Sequence, residues 1–277
     1  MPTGKWYCGK QYFFQSLSAD SKITLRGIEF MKIFPLSEGS FTIDASKKFI
    51  PFDTANDELH HRPVGSLLVE IQPFAVVTSK DILVIDTGLG YSTAAGNLQI
   101  HQNLLSHQIN PMDVTKVLLS HLHKDHAGGI ALTDQLLNQQ FLSFPNAQYY
   151  VNEDELATAF QKGAPSYTRT DFEILINSSQ VQLLKGNGTI DGYIRYEVTG
   201  AHCPFHQVFW IEEDGQKLFF GGDVAPQLQQ MKSRFVAKYD SDGRRSMELR
   251  QQWWQQAQEE HWTFLFYHDI KTPVFTC

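Results

Sequence analysis

Three histidines and an aspartate fall within six consecutive residues of the stretch Ser120-His121-Leu122-His123-Lys124-Asp125-His126-Ala127-Gly128-Gly129. Clustered imidazoles make poor core material, because protonated rings repel one another and neutral ones need partners for their lone pairs. A divalent cation is such a partner. The run leading into the cluster, Lys116 to Ser120 (KVLLS), reads as a buried strand. In extended chain alternate residues point the same way, so His121 and His123 can grip one ion from one side. Asp125 and His126 follow where the chain turns and can face a second ion. Gly128 and Gly129 let the backbone pass close around the site and start a following helix.

A metal site needs more ligands, and the candidates are His202 in TGAHCPFH, Asp223 in FFGGDVAP and His268 in FLFYHD. Each stands at the end of a predicted strand or in the loop after it. Strands are expected at 23–26, 41–44, 66–77, 82–85, 116–120, 147–151, 193–198, 207–211, 217–220 and 264–267 from their β-branched and aromatic content. The segment 93–107 has near-helical apolar spacing interrupted by Gly96. Asn152 as N-cap, with Glu155 in capping-box position, predicts a helix over 153–160. A second helix is expected over 247–262 with Leu249, Trp253, Trp254 and Ala257 inward. Asp214 and Gly215 suit a tight hairpin turn. Repeats and clear linkers are absent, so residues 1–277 read as a single mixed α/β domain, with 161–180 as a surface insertion.

The H-x-H-x-D-H motif, preceded by VIDTG at Val84 to Gly88 and followed in order by His202, Asp223 and His268, resembles the metallo-β-lactamase superfamily. The resemblance runs from about Glu29 to His268 and specifies a fold rather than a substrate. It implies a four-layer αβ/βα sandwich: two mixed β-sheets face to face, helices on the outer faces and the site at one edge. It also implies that His121, His123 and His202 bind a first metal, that Asp125, His126 and His268 bind a second, and that Asp223 bridges both. Asp86 matches an aspartate that orients a ligand histidine. Common zinc β-lactamases have cysteine where this chain has Asp223, whereas lactonases, glyoxalase-type thioesterases and organophosphate hydrolases have the bridging aspartate. Cys203 then reads as a small packed residue, His206 as a residue hydrogen-bonded to backbone, and His60 and His61 as part of a solvated loop.

The function implied is a dinuclear hydrolase whose metal-bridging hydroxide cleaves a small ester-like substrate, a lactone or carboxylic ester, with Asp125 and Asp223 as the catalytic pair. The cofactors are two divalent ions, zinc first, with manganese or iron as alternatives. Motif spread and the EGSFTID entry are most similar to quorum-quenching lactonases and methyl-parathion-hydrolase-like enzymes. Many lactonases carry a tyrosine three residues past the bridging aspartate; Pro226 stands there here, leaving Tyr267 or another aromatic to assist. Other readings are a glyoxalase-type thioesterase, a phosphotriesterase or a non-catalytic ligand-binding relative. The basic C-terminal residues of the thioesterases are not evident, and a non-catalytic relative would have lost ligands. An oxygen-reducing iron relative would replace the second motif histidine by glutamate.

Charge and cysteine usage narrow the partners. The net charge is −7, from 23 Lys plus Arg against 30 Asp plus Glu, and no basic run suits a phosphate backbone, so nucleic acid is not expected. Cys8, Cys203 and Cys277 form no C-x-x-C pair, no stretch reaches membrane-spanning length, and the N-terminus lacks the pattern of a signal peptide. A cytoplasmic protein acting on a small molecule is the reading; the oligomeric state is left open. Pocket walls are expected from the loops before Ser66 and from 161–180, with Phe52, Phe160 and Tyr167 as apolar surface and few fixed charges.

Overall fold

Alternation along the apolar strands decides which face of each sheet meets which partner. The computed structural model describes residues 30–94, 96–134 and 139–277; the strand expected at 23–26 and Cys8 lie outside them. In chain order the elements are β1 (Lys32–Pro35), β2 (Gly39–Ile43), β3 (Phe49–Pro51), β4 (Leu67–Ile71), β5 (Phe74–Val77), β6 (Ile82–Ile85) and α1 (Gln99–Ser106). β7 (Lys116–Leu118), α2 (Lys124–Ala127), β8 (Ala131–Asp134), β9 (Gln139–Leu142), β10 (Gln148–Asn152), α3 (Glu153–Lys162) and α4 (Arg169–Phe172) follow. The rest are β11 (Val181–Leu184), β12 (Gly188–Ile190), β13 (Ile194–Val198), β14 (Gln207–Glu213), β15 (Gln216–Phe220), α5 (Leu228–Met231), α6 (Gly243–Glu260), β16 (Thr263–Leu265) and β17 (Val274–Thr276).

Two six-stranded sheets, ordered β1-β5-β6-β7-β10-β11 and β12-β13-β14-β15-β16-β17, form the centre. Both are mixed: β6, β7, β10 and β11 run parallel in the first, and β15 and β16 run parallel in a second sheet that is otherwise antiparallel. Phe74, Val76, Leu83 and Ile85 turn inward to meet Ile194, Phe209, Ile211 and Phe220 of the other sheet. Their neighbours Ala75, Val77 and Val84 turn outward to α1 and α3, against Ile100, Leu104, Leu156 and Ala159. On the far side Val208, Trp210, Phe219 and Phe264 meet Trp253 and Ala257 of α6. The layers run helix, sheet, sheet, helix, as the resemblance implies.

Several local expectations shift. The run 66–77 divides into β4 and β5 across Gln72-Pro73, and the halves join different sheets: β4 pairs with β2 in a small three-stranded sheet, β5 with β1 and β6. The helix expected over 93–107 begins only at Gln99, past Gly96 at φ 82°. Asn152 caps α3 by accepting from the N–H of Asp154 and Glu155, but the Glu155 side chain does not close a capping box. It turns into the core and accepts from the N–H of Leu122. α6 starts four residues early because Asp242 accepts from the N–H of Arg245. Asp214 and Gly215 make the expected tight turn, with φ of 49° and 78°. The segment 161–180 folds into α4 and a short 3-10 turn and places Tyr167, Phe172 and Leu175 in the buried cluster beside α3. Among the described residues no helix is long and apolar enough to cross a membrane.

Phe219 is fully buried, edge-on to Phe264 and tilted against Trp210, Trp253 and Trp262. Phe219→Ala is expected to cost about 3–5 kcal/mol of unfolding free energy, measured by urea denaturation. A loss below about 1 kcal/mol would mean that the α6 layer is not the packed layer described.

Candidate metal centre

Every candidate ligand stands beyond the C-terminal end of a strand: His121, His123, Asp125 and His126 after β7, His202 after β13, Asp223 after β15 and His268 after β16. The sheets bring these ends to one edge. His121 and His123, alternate residues of extended chain, meet through Nε2 and Nδ1 at 3.0 Å, and His202 Nε2 lies 3.1 Å from the same His123 nitrogen. Asp223 Oδ2 completes the group at 3.3 Å from His202 Nε2 and 4.0 Å from His121 Nε2. Asp125 and His126 lie on the single turn of α2 and form a second group with His268. Asp125 Oδ2 is 3.8 Å from each of the two ring nitrogens. The other oxygen of Asp223, Oδ1, approaches His268 Nε2 at 3.0 Å and His126 Nε2 at 3.1 Å.

These separations suit cations. Bonds of about 2.0–2.1 Å in tetrahedral array set donors roughly 3.3–3.4 Å apart. His126 Nε2 and Asp223 Oδ1 are buried and, among the described residues, approach only other candidate ligands without a hydrogen bond of good geometry, as atoms facing a shared cation would be. The donor set of imidazoles and carboxylates fits zinc, manganese or iron.

The opposite ring nitrogens are tied down. His126 Nδ1 meets Asp86 Oδ2 at 2.7 Å, and Asp86 also accepts from the N–H and Oγ of Ser120. Asp86 holds a left-handed φ of 55°, an uncommon backbone state for a non-glycine residue that these bonds sustain. His202 Nδ1 meets Asp240 Oδ1 at 2.8 Å, and His268 Nδ1 meets the carbonyl of Glu70 at 2.7 Å. His206 accepts from the N–H of Asp223 through Nε2 at 3.1 Å, so its bond to backbone also positions the shared aspartate. Gly128 and Gly129 do not start a helix as expected; α2 ends before them. A Cβ on Gly128 would come within 2.3 Å of the Leu89 carbonyl, and one on Gly129 within 2.2 Å of the Thr87 carbonyl. Close backbone approach under the motif therefore requires both glycines.

Charge divides the rings into two kinds. Burial holds His121 and His123 well below the ordinary histidine range, helped by neighbouring rings. Burial also opposes protonation of His126 and His268, but the carboxylates of Asp223 and Asp125 outweigh it and hold both above that range. Asp223, although buried, is held well below the carboxylate range by His126, His268 and His202.

Some expectations about the surroundings fail. Tyr267 is fully buried, stacked on His126 at 4.0 Å with its hydroxyl on the Asp125 carbonyl at 2.5 Å; it fixes the motif and does not face the cavity. Phe160 packs on Phe172 and Phe52 sits under Arg62, and neither lines the cavity. The walls of the cavity of about 170 Å³ over the ligands come instead from Ile43, Phe49, Leu67, Phe235 and Tyr239, with Tyr167 in a wider basin outside. Lys47 and Lys124 also stand in the wall, where few charges were expected. His60 and His61 are exposed. Cys203 is buried beside Glu155. Asp240 and Tyr239 carry no signal in the sequence that sets them apart from ordinary polar residues, and Glu155 carries only that of a helix cap.

Residues 70–261 match the family model described as the metallo-beta-lactamase superfamily. A curated relative, the N-acyl homoserine lactonase AttM of Agrobacterium fabrum (strain C58), is 31% identical over 117 residues, which are 39% of this chain and 40% of the relative. The matched part thus spans less than half of that relative. A probable metal-dependent hydrolase from Staphylococcus aureus superposes with a TM-score of 0.71 at 21% identity, covering 89% of this chain and 92% of the other. The hydrolase AbOPH does so with a TM-score of 0.68 at 22% identity over 89% of each chain. The dizinc quorum-quenching lactonase AidC gives 0.65 at 18% identity, over 89% of this chain and 90% of its own. At such identities the structural likeness is one of fold.

Two outcomes are expected of this geometry. Asp240→Asn should weaken metal binding at the His121–His123–His202 group by about 10–100-fold, read by chelator competition; unchanged affinity would show that His202 needs no such partner. A ring must be unprotonated to bind a cation, and groups held above the ordinary range keep their protons to higher pH. Metal should therefore leave the Asp125–His126–His268 group first as pH falls from about 8 to about 5. Metal analysis after dialysis across that range checks it, and retention of that group after loss of the other would contradict the assignment.

Proposed function

The chain belongs to the metallo-beta-lactamase superfamily, and from that premise we propose that it is a dinuclear-metal hydrolase, with zinc the first choice, acting on small, partly apolar carboxylic esters or lactones. The observation that carries the reading is Asp223, whose two oxygens face two separate ligand groups. In this reading His121, His123 and His202 hold one ion, Asp125, His126 and His268 the other, and Asp223 both. The described residues also read as one domain, since both sheets supply loops to this edge.

Bound divalent ions supply Lewis acidity, which acidifies water toward a pKa of about 7 and polarises the oxygen under attack. The chain supplies the rest. Asp125 turns Oδ2 toward His126 and His268, and its other oxygen is available to orient a water or accept its proton. Tyr267 anchors the Asp125 backbone through its carbonyl. Ile43, Phe49, Leu67 and Phe235 give an apolar bed to an acyl chain or ring. Where Pro226 offers no donor, Tyr239 lines the same cavity beside His202. Burial pushes its hydroxyl up to about 12, so it stays a hydrogen-bond donor near neutral pH. The short likeness to an N-acyl homoserine lactonase places lactones in the first substrate panel.

A matched series of lactone, aryl ester, thioester and phosphodiester should show the highest kcat/KM on the lactone or aryl ester, and preference for the phosphodiester would overturn the reading. On the best substrate Asp223→Ala should lose more than about 100-fold, beyond what loss of an outer hydrogen-bond partner costs, with the circular dichroism spectrum retained.

A further inference from the structure

Lys47 and Lys124 stand in the wall of the cavity above the ligand groups. Both are half-buried, and among the described residues neither ammonium lies within ion-pair distance of a carboxylate. Lys124 is not a loose surface chain. Its Nζ donates to the Lys47 carbonyl and sits 5.5 Å above the Phe49 ring, so the charge is fixed against the apolar wall. Lys47 occupies a left-handed backbone state, φ 58°, in the turn between β2 and β3. That conformation favours glycine or asparagine. The charge of Lys47 also bears on His123, which places it within electrostatic reach of the ligands.

Outside this cavity the site widens into a basin of about 940 Å³, lined in part by Lys47, Lys162 and Lys238. Among the described residues its one peripheral acid, Asp44, is turned back onto Ser46. A chain of net charge −7 therefore gathers lysines at this edge among the described residues, with Asp171 within electrostatic reach of Lys124 but not in an ion pair with it. Ammoniums held in part against an apolar wall gain when a complementary anion joins them. Among the described residues no arginine lines either cavity, so the site lacks the bidentate donors that arginine offers a phosphate.

We propose that Lys47 and Lys124 form an anion subsite, and that the substrate is an amphipathic ester or lactone bearing a carboxylate at the end away from the scissile bond. The proposal rests on the hydrolase reading above and names its substrate class. Ile43, Phe49 and Leu67 take the apolar middle of such a molecule, the lysines its charged end, and the ligand groups its reacting carbonyl.

The test uses metal-loaded protein with two esters of equal chain length: the mono-4-nitrophenyl ester of suberic acid, which keeps a free carboxylate, and 4-nitrophenyl octanoate, which is neutral. Wild type is expected to favour the suberate ester in kcat/KM by at least about tenfold. The preference should shrink as ionic strength rises from about 0.01 M to about 1 M. Lys47→Gln should remove most of it through KM, and Lys47→Arg should restore it. In parallel, calorimetry should show suberate binding more tightly than octanoate, with the difference lost in Lys47→Gln. Equal or reversed preference in wild type, or a preference that Lys47→Gln leaves intact, overturns the anion subsite while hydrolysis of the neutral ester still supports the hydrolase. If neither ester is cleaved, the ester-hydrolase reading fails by itself and calorimetry decides the subsite: equal binding of the two acids overturns it.

Discussion

The carboxylate of Asp223 is the interaction on which the arrangement of this edge depends. Five imidazoles crowd around it, and rings so placed would repel once protonated and waste lone pairs once neutral. One oxygen answers the rings of His121 and His202, the other those of His126 and His268. A single residue thereby makes one site of groups contributed by both sheets. Its own position is set from outside, by His206 accepting its N–H and by the left-handed turn at Gly222. A Cβ on Gly222 would come within 2.6 Å of the His206 ring, so the close packing of that ring requires glycine.

The sandwich serves this carboxylate by ending its strands together. The inward faces of both sheets are apolar and interlocked, which holds the strand ends in fixed relation while the loops beyond them carry polar chemistry. Loops of this kind need stiffening, and buried hydrogen bonds provide it. Asp86 joins the end of β6 to Ser120 and His126, Glu155 reaches from α3 to the Leu122 N–H between His121 and His123, and Asp240 reaches from the loop before α6 to His202. Asp86 and Asp240 thereby fix which ring nitrogen of His126 and His202 is left to face the centre, while Glu155 holds the backbone between His121 and His123.

The cavity above the ligands has a different logic. Its walls come from the small three-stranded sheet, from the segment after α3 and from the stretch between Asp223 and α6, which are distant in sequence. Apolar side chains dominate it, yet two lysines interrupt it, one of them inside the H-x-H-x-D-H motif. In the proposed hydrolase the chemistry at the floor would be general to activated carbonyls, and selection would belong to these walls.

Much of the centre was legible because its signals are local. Histidines two residues apart after a buried strand, and His202, Asp223 and His268 placed near strand ends, can be recognised one segment at a time, and the order of these segments carries the family resemblance. The alternation of apolar residues likewise marks most strands, since a period of two shows within a few residues. What only the tertiary structure decided is which residues meet across long separations. Asp240 lies 38 residues from His202, and nothing in its neighbourhood distinguishes it from a solvated acid. Glu155 has the spacing of a helix cap, but burial beside Leu122 offered its carboxylate a better partner than its own helix end. Phe52 and Phe160 had the composition of pocket walls and lie elsewhere, while Phe49, Phe235 and Tyr239 take that place. Side-chain type is a property of one position, but a wall or a hydrogen-bond partner is a property of two surfaces brought together by packing, and that relation is settled only when the sheets close on each other.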